Sequence, residues 1–170
     1  ENFQRGGAFK IRGAANLILA LSPEELKRGM VAFSSGNHAQ AVAIASKYVG
    51  AAATIVMPED APPSNMESTR ARGSTSVTYN RLKDDREAIA SRLLAETGGI
   101  LAPPYDHPMI MAGQGTIALE LLEQEPELDA IVTPVGGGGM ASGCSTIAKE
   151  LRPGIRCFGV EPELGNDVWQ

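Results

Sequence analysis

Four consecutive glycines, Gly136, Gly137, Gly138 and Gly139, separate an apolar β-type run from a helical one. Glycine loses more backbone entropy on folding than any other residue, so such a run is costly unless a backbone without side chains is needed. A ligand that touches the amides is the simplest need, and a helix N-terminus adds partial positive charge. Phosphate meets both conditions, with a flexible turn as the plain alternative. No Gly-Lys-Ser/Thr follows the run, and its spacing is not that of the dinucleotide fingerprint. A second loop, Ser34-Ser35-Gly36-Asn37-His38, stands between a strand end and a helix start. Its hydroxyls, amide, imidazole and free N–H groups could hold a carboxylate or a ring hydroxyl at the C-terminal end of a strand. Helix capping by Asn37 or a serine is the alternative there. The third candidate is Lys10 in Gly6-Gly7-Ala8-Phe9-Lys10-Ile11-Arg12-Gly13-Ala14. Small neighbours let a planar group approach, Phe9 can pack on it, and a desolvated lysine can serve as a Schiff-base amine. An exposed surface lysine is the alternative.

The elements that must position these residues alternate strand and helix, the pattern of a parallel sheet covered by helices. Helices are expected over residues 13–21, from Pro23 onward, and over 38–49, 65–72, 84–97, 109–124 and 140–151. Strands are expected over 30–33, 53–57, 76–79, 129–134 and 155–161, with a further short one between Gly98-Gly99 and Pro103-Pro104. Ser22 is placed as an N-cap, with Pro23 at the first helical position and Glu25 completing a capping box. Ile89, Leu93 and Leu94 share one face of the amphipathic segment over 84–97.

The chain has 170 residues and a net charge of −5, with 43% hydrophobic and 21% charged residues. That is a soluble globular composition without the basic stripe of a phosphate-backbone binder, so no nucleic-acid partner is expected. No apolar run approaches the roughly 20 residues needed to span a membrane, and no signal segment opens the chain, so a cytoplasmic enzyme is expected. Cys144 and Cys157 are too few for a disulfide scaffold and are expected to be buried, reduced packing residues.

Together these segments resemble the serine/threonine dehydratase and serine racemase family, the fold type II enzymes that use pyridoxal 5'-phosphate (PLP). The resemblance rests on Glu1-Asn2-Phe3-Gln4-Arg5, Ala8-Phe9-Lys10-Ile11-Arg12-Gly13-Ala14, Ser34-Ser35-Gly36-Asn37-His38-Ala39-Gln40, Ala112-Gly113-Gln114-Gly115-Thr116 and Pro134-Val135-Gly136-Gly137-Gly138-Gly139. Ala8, where many dehydratases have Ser, directs it toward the racemase-like and hydroxyaspartate-acting branch. The resemblance implies an α/β protein of two lobes with parallel sheets flanked by helices. Residues 29–115 would form the small lobe, and 1–28 and 116–170 would belong to an incomplete large PLP-binding lobe.

The same resemblance implies a dehydratase, a racemase, or both, acting on serine, threonine or 3-hydroxyaspartate. Lys10 would form the Schiff base with PLP, Phe9 would lie against the cofactor ring, and Asn37 would bind the ring hydroxyl. Gly136, Gly137, Gly138 and Gly139 would cradle the phosphate. Ser35 would act from the face opposite Lys10, while Ser34 and His38 would help hold the substrate carboxylate. Glu161, the carbonyl of Gly165, and Asp167 would bind Mg²⁺ or Ca²⁺, with Mn²⁺ as a further candidate. A homodimer or homotetramer is implied for the full-length protein. Both chain ends read as cuts through a larger protein, so low activity is expected of the isolated chain. A non-catalytic remnant that serves as a binding or oligomerising module is the rival reading, opposed by the intact Lys10, Asn37 and glycine run.

Overall fold

The computed structural model describes residues 1–166 and 168. The chain divides into two compact units, Glu1–Pro104 and Tyr105–Gln170. In the first, α1 (Lys10–Leu19) and α2 (Pro23–Arg28) lead into β1 (Met30–Phe33). Then follow α3 (Asn37–Tyr48), β2 (Ala53–Pro58), α4 (Pro63–Ala71), β3 (Thr75–Tyr79), α5 (Arg86–Thr97) and β4 (Ile100–Leu101). The second unit holds α6 (Pro108–Gln124), β5 (Ala130–Pro134), α7 (Gly139–Leu151), β6 (Arg156–Val160) and a 3₁₀ turn, Glu163–Gly165. Compactness thus places residues 1–28 with 29–104, a grouping distinct from the lobes implied by resemblance. Helix α1 packs on α3, and its Ala14, Leu17 and Ile18 are buried.

The first unit is a four-stranded parallel sheet in the order β3-β2-β1-β4. Val31 pairs with Thr54 on one side and Leu101 on the other, so β1 is an interior strand. Met30, Val31 and Ala32 are all buried, as expected of a parallel strand covered on both faces. The buried face of α3 is built from Ala39, Ala41, Val42, Ala43 and Ala45, small enough to let α1 approach closely. Ile89, Leu93 and Leu94 of α5 pack against the cluster of Val31, Val56, Tyr79 and Ala90, as the amphipathic pattern predicts. Ser22 caps α2 through the expected capping box with Glu25. The first helix begins three residues earlier than expected, because Gly13 is a buried interior position and Lys10 opens the helix.

In the second unit β5 and β6 pair in parallel, with Ile131 opposite Cys157. Ala118, Ile131, Cys144, Ala148 and Ile155 form its core. Cys144 is buried as expected and donates its S–H to the Gln114 carbonyl, whereas Cys157 is only half-buried; both are free thiols. Val132, Phe158 and Val160 of this sheet are exposed. Among the described residues no helix is long and apolar enough to cross a membrane.

Helices α6 and α7 touch through glycine. A Cβ on Gly143 would overlap the Met111 carbonyl, and one on Gly115 would lie 2.9 Å from the Gly143 carbonyl oxygen. Backbone cannot yield as a side chain can. Gly143→Ala is therefore expected to cost about 2–3 kcal/mol, the scale of overpacking a tight interior, read as a drop in the urea midpoint. An unchanged midpoint would show that the two helices can separate without loss.

Candidate functional site

The strand order of the first unit creates a crevice. From β1 the chain steps outward to β2 and β3, then crosses back through α5 to place β4 on the other side of β1. Loops after β1 and β4 therefore diverge at the C-terminal ends of these strands, the topological switch point where open parallel sheets bind ligands. The loop after β1 is Ser34-Ser35-Gly36, and the one after β4 is Ala102-Pro103-Pro104.

Lys10 is the first residue of α1, and its Nζ donates to the Pro104 carbonyl oxygen at 2.5 Å. The amine lies 5.3 Å from the centre of the Phe9 ring. Burial holds the Lys10 amine below the ordinary lysine range, because removing water penalises the ammonium form. A more readily neutral amine is what nucleophilic or base chemistry requires.

In the loop after β1, Ser34 N–H donates to the Val56 carbonyl and Ser34 Oγ accepts from Gly36 N–H at 3.2 Å. Helix α3 starts at Asn37 with Gly36 as its N-cap, and no side chain caps it. The capping alternative is thus not realised. Ser35 Oγ and the exposed Asn37 amide make no protein hydrogen bond among the described residues, so both are unspent. The uncapped amides of α3 add donors for an anion. The Ser35 carbonyl accepts from Asn65 Nδ2 at 2.9 Å, and Gln40 Nε2 donates to Asn65 Oδ1 at 3.3 Å. Sequence reading missed Asn65, which carries no motif and acts through a backbone atom.

His38 lies deep, with 3% of its surface exposed, and its Nε2 bonds to the Ala102 carbonyl at 2.8 Å. Burial pushes its imidazole down to about 4, with the nearby Lys10 charge adding to the effect. Near pH 7 it is neutral, so Nε2 carries the proton and Nδ1 is a bare lone pair, buried and without a partner. A cationic contact to a substrate carboxylate is therefore not available from His38 at that pH.

The glycine loop belongs to the second unit, between β5 and α7, and Val135 N–H ties it to the Val160 carbonyl. Gly138, at φ 80°, is the N-cap of α7, and no side chain caps this helix either. A Cβ at Gly136 or Gly138 would meet open space. At Gly137 it would overlap the Tyr105 ring, and at Gly139 it would lie 2.7 Å from the Tyr105 carbonyl oxygen. Two of the four glycines thus also serve packing under Tyr105, and the other two leave the loop open. An uncapped helix start with an open backbone cradle fits a phosphate.

Of the expected metal ligands, Glu161 accepts through Oε1 from Val168 N–H at 3.1 Å, and Gly165 closes the 3₁₀ turn. Asp167 lies outside the described residues. Among the described residues no group of three His, Cys, Asp or Glu side chains gathers as for a metal.

The family profile described as pyridoxal-phosphate dependent enzyme matches residues 1–170. The chain belongs to the pyridoxal-phosphate dependent enzymes. Its relatives include the L-threo-3-hydroxyaspartate ammonia-lyase of Saccharomyces cerevisiae, 55% identical over all of this chain and 52% of that protein. The serine racemase of Schizosaccharomyces pombe is 47% identical over all of this chain and 53% of that protein. The crystal structure of serine racemase from Dictyostelium discoideum superposes with a TM-score of 0.95 at 43% identity, covering 99% of this chain and 55% of that one. Maize serine racemase gives a TM-score of 0.93 at 45% identity, over 96% of this chain and 50% of that one. The chain spans about half the length of the curated relatives it matches. This likeness shows the fold type II architecture and is consistent with the racemase-like and hydroxyaspartate-acting branch.

A buried neutral histidine links stability to pH. Between the unfolded value near 6.5 and the folded value of about 4, the unfolded chain binds a proton that the folded chain excludes. Stability is therefore full above that window and falls as pH drops through it, by roughly 3 kcal/mol at about 1.4 kcal/mol per unit. Urea midpoints at pH 7 and pH 4.5 for the wild type and His38→Gln check this, the variant showing the smaller loss. Equal losses would place the acid-labile group elsewhere.

Proposed function

We propose that this protein is a PLP-dependent ammonia-lyase of small β-hydroxy amino acids (serine, threonine or 3-hydroxyaspartate), with racemisation as a second outcome at the same site. The observation that carries the reading is the half-buried Lys10 amine, held below its ordinary pKa at the switch point of a parallel sheet. The names and identities of the relatives support the substrate class. Bound PLP supplies an electron sink that makes the substrate Cα–H acidic. Lys10 would link to the cofactor and, as a neutral amine, take the Cα proton. Phe9 would lie against the ring, Asn37 would use its unspent amide on the ring hydroxyl, and Gly136 to Gly139 would hold the phosphate. The amides at the start of α3, with Ser34 beside them, would receive the substrate carboxylate. Ser35 would donate a proton from the face opposite Lys10, which gives the mirror-image amino acid, whereas loss of the β-hydroxyl gives a 2-oxo acid and ammonia.

Assays of pyruvate, 2-oxobutyrate and oxaloacetate released from serine, threonine and both hydroxyaspartates identify the preferred substrate. Lys10→Ala is expected to lower turnover about a thousandfold or more, the upper range for removing a positioned acid–base group. Normal turnover in that variant would overturn the assignment. Ser35→Ala is expected to abolish racemisation while L-serine dehydration survives, and unchanged racemisation would remove Ser35 from the mechanism.

A hard cation is part of the same reading. Two carboxylates, Glu161 and Asp167, with the Gly165 carbonyl would supply an all-oxygen donor set suited to Mg²⁺ or Ca²⁺. Glu161 is already drawn back onto its own turn by Val168 N–H. EDTA is expected to lower activity and melting temperature together, with Mg²⁺, Mn²⁺ or Ca²⁺ restoring both and Asp167→Ala mimicking the chelator. Indifference to EDTA would remove the metal and leave the PLP reading intact.

A further inference from the structure

We propose that His38 is a positioning residue for Lys10, acting through the Ala102-Pro103-Pro104 strap. The proposal rests on the reading of Lys10 as the cofactor-linking lysine. The strap leaves the short edge strand β4, and Ala102, fully buried, is anchored at both backbone atoms. Its N–H donates to the Val31 carbonyl at 2.8 Å, and its carbonyl accepts from His38 Nε2 at 2.8 Å. Two residues on, the Pro104 carbonyl accepts from Lys10 Nζ. Pro103 and Pro104 have no N–H and a fixed φ, so neither can tie the strap down by its own amide, and both transmit displacement stiffly. Where the Pro104 oxygen sits therefore depends on how Ala102 is held.

His38 suits this task better than a packing role. An apolar side chain would fill the same buried place on α3 without leaving Nδ1 unpartnered, a state that carries a desolvation cost. The Nε2–H that Ala102 accepts is present in this neutral tautomer and in the imidazolium alike, so protonation of the ring does not remove the donor. The anchor does not switch off when acid–base chemistry proceeds at Lys10.

The test is a double-mutant cycle on cofactor-free, full-length protein reloaded with pyridoxal phosphate. Two readouts are followed: the rate at which a borohydride-trappable link forms at Lys10, mapped by peptide mass, and cofactor affinity when Lys10 is absent. His38→Asn, whose amide is too short to reach Ala102, is expected to slow linkage at Lys10 about tenfold or more, since small misplacements of a reacting group are costly. His38→Gln, which restores a donor near the Nε2 position, is expected to stay within about threefold of wild type, and His38→Asn in a Lys10→Ala background is expected to leave cofactor affinity within about twofold. An unchanged linkage rate in His38→Asn overturns the proposal, and so does equal weakening in both backgrounds, which would place His38 in the cofactor pocket or the general fold. If His38→Asn fails to fold, Pro103→Gly takes its place, because it leaves both hydrogen-bonding ends intact and loosens only the strap: slowed linkage supports the strap and a wild-type rate overturns it. A trapped link at another lysine would instead overturn the reading of Lys10 itself.

Discussion

Parallel pairing of β1 between β2 and β4 is the constraint on which the crevice of the first unit depends. Because β4 returns to the opposite side of β1 from β2, the loops that follow β1 and β4 face a common crevice. One loop offers Ser35 and Asn37 with unspent side chains, and the other offers the Pro104 carbonyl that holds the Lys10 amine. Without the crossover through α5, the Ala102-Pro103-Pro104 strap would not lie beside β1. The crevice is thus tied to a short edge strand of two residues whose pairing with β1 is secured by Ile100 N–H and Ala102 N–H.

Electrostatics follows from the same burial. Removing water disfavours both the Lys10 ammonium and the His38 imidazolium, and the nearby Lys10 charge further disfavours the imidazolium. The imidazole is thus held neutral near pH 7 with Nε2–H donated to Ala102, and the Lys10 amine is shifted toward its neutral form. A carbonyl is a suitable resting partner for such an amine, since it accepts a hydrogen bond without supplying the charge that would restore the ammonium form.

The second unit solves a different problem with backbone alone. Gly137 and Gly139 let Tyr105 lie directly on the loop, while Gly136 and Gly138 leave it open, and α7 begins with no side chain occupying its first amides. One glycine run thus meets a packing demand and leaves an open stretch of backbone together. The packing under Tyr105 accounts for two of the four glycines despite their entropy cost.

The sequence by itself determined the alternation of strands and helices, the capping box of α2, the apolar face of α5 and the identity of the chemically capable residues. These features are local: periodicity, capping and glycine clustering act over a few residues and leave a direct trace. Tertiary structure alone decided that Lys10 opens α1, that its amine rests on Pro104, and that His38 is buried, neutral and turned to Ala102. It also decided that Asn65 braces Ser35 and that Tyr105 covers half of the glycine run. The physical reason is that these contacts join positions far apart in the chain and mostly end on backbone carbonyls. Every residue carries such an oxygen, so no residue type marks it, and whether a nearby imidazole or amine is charged depends on burial that only the folded chain creates.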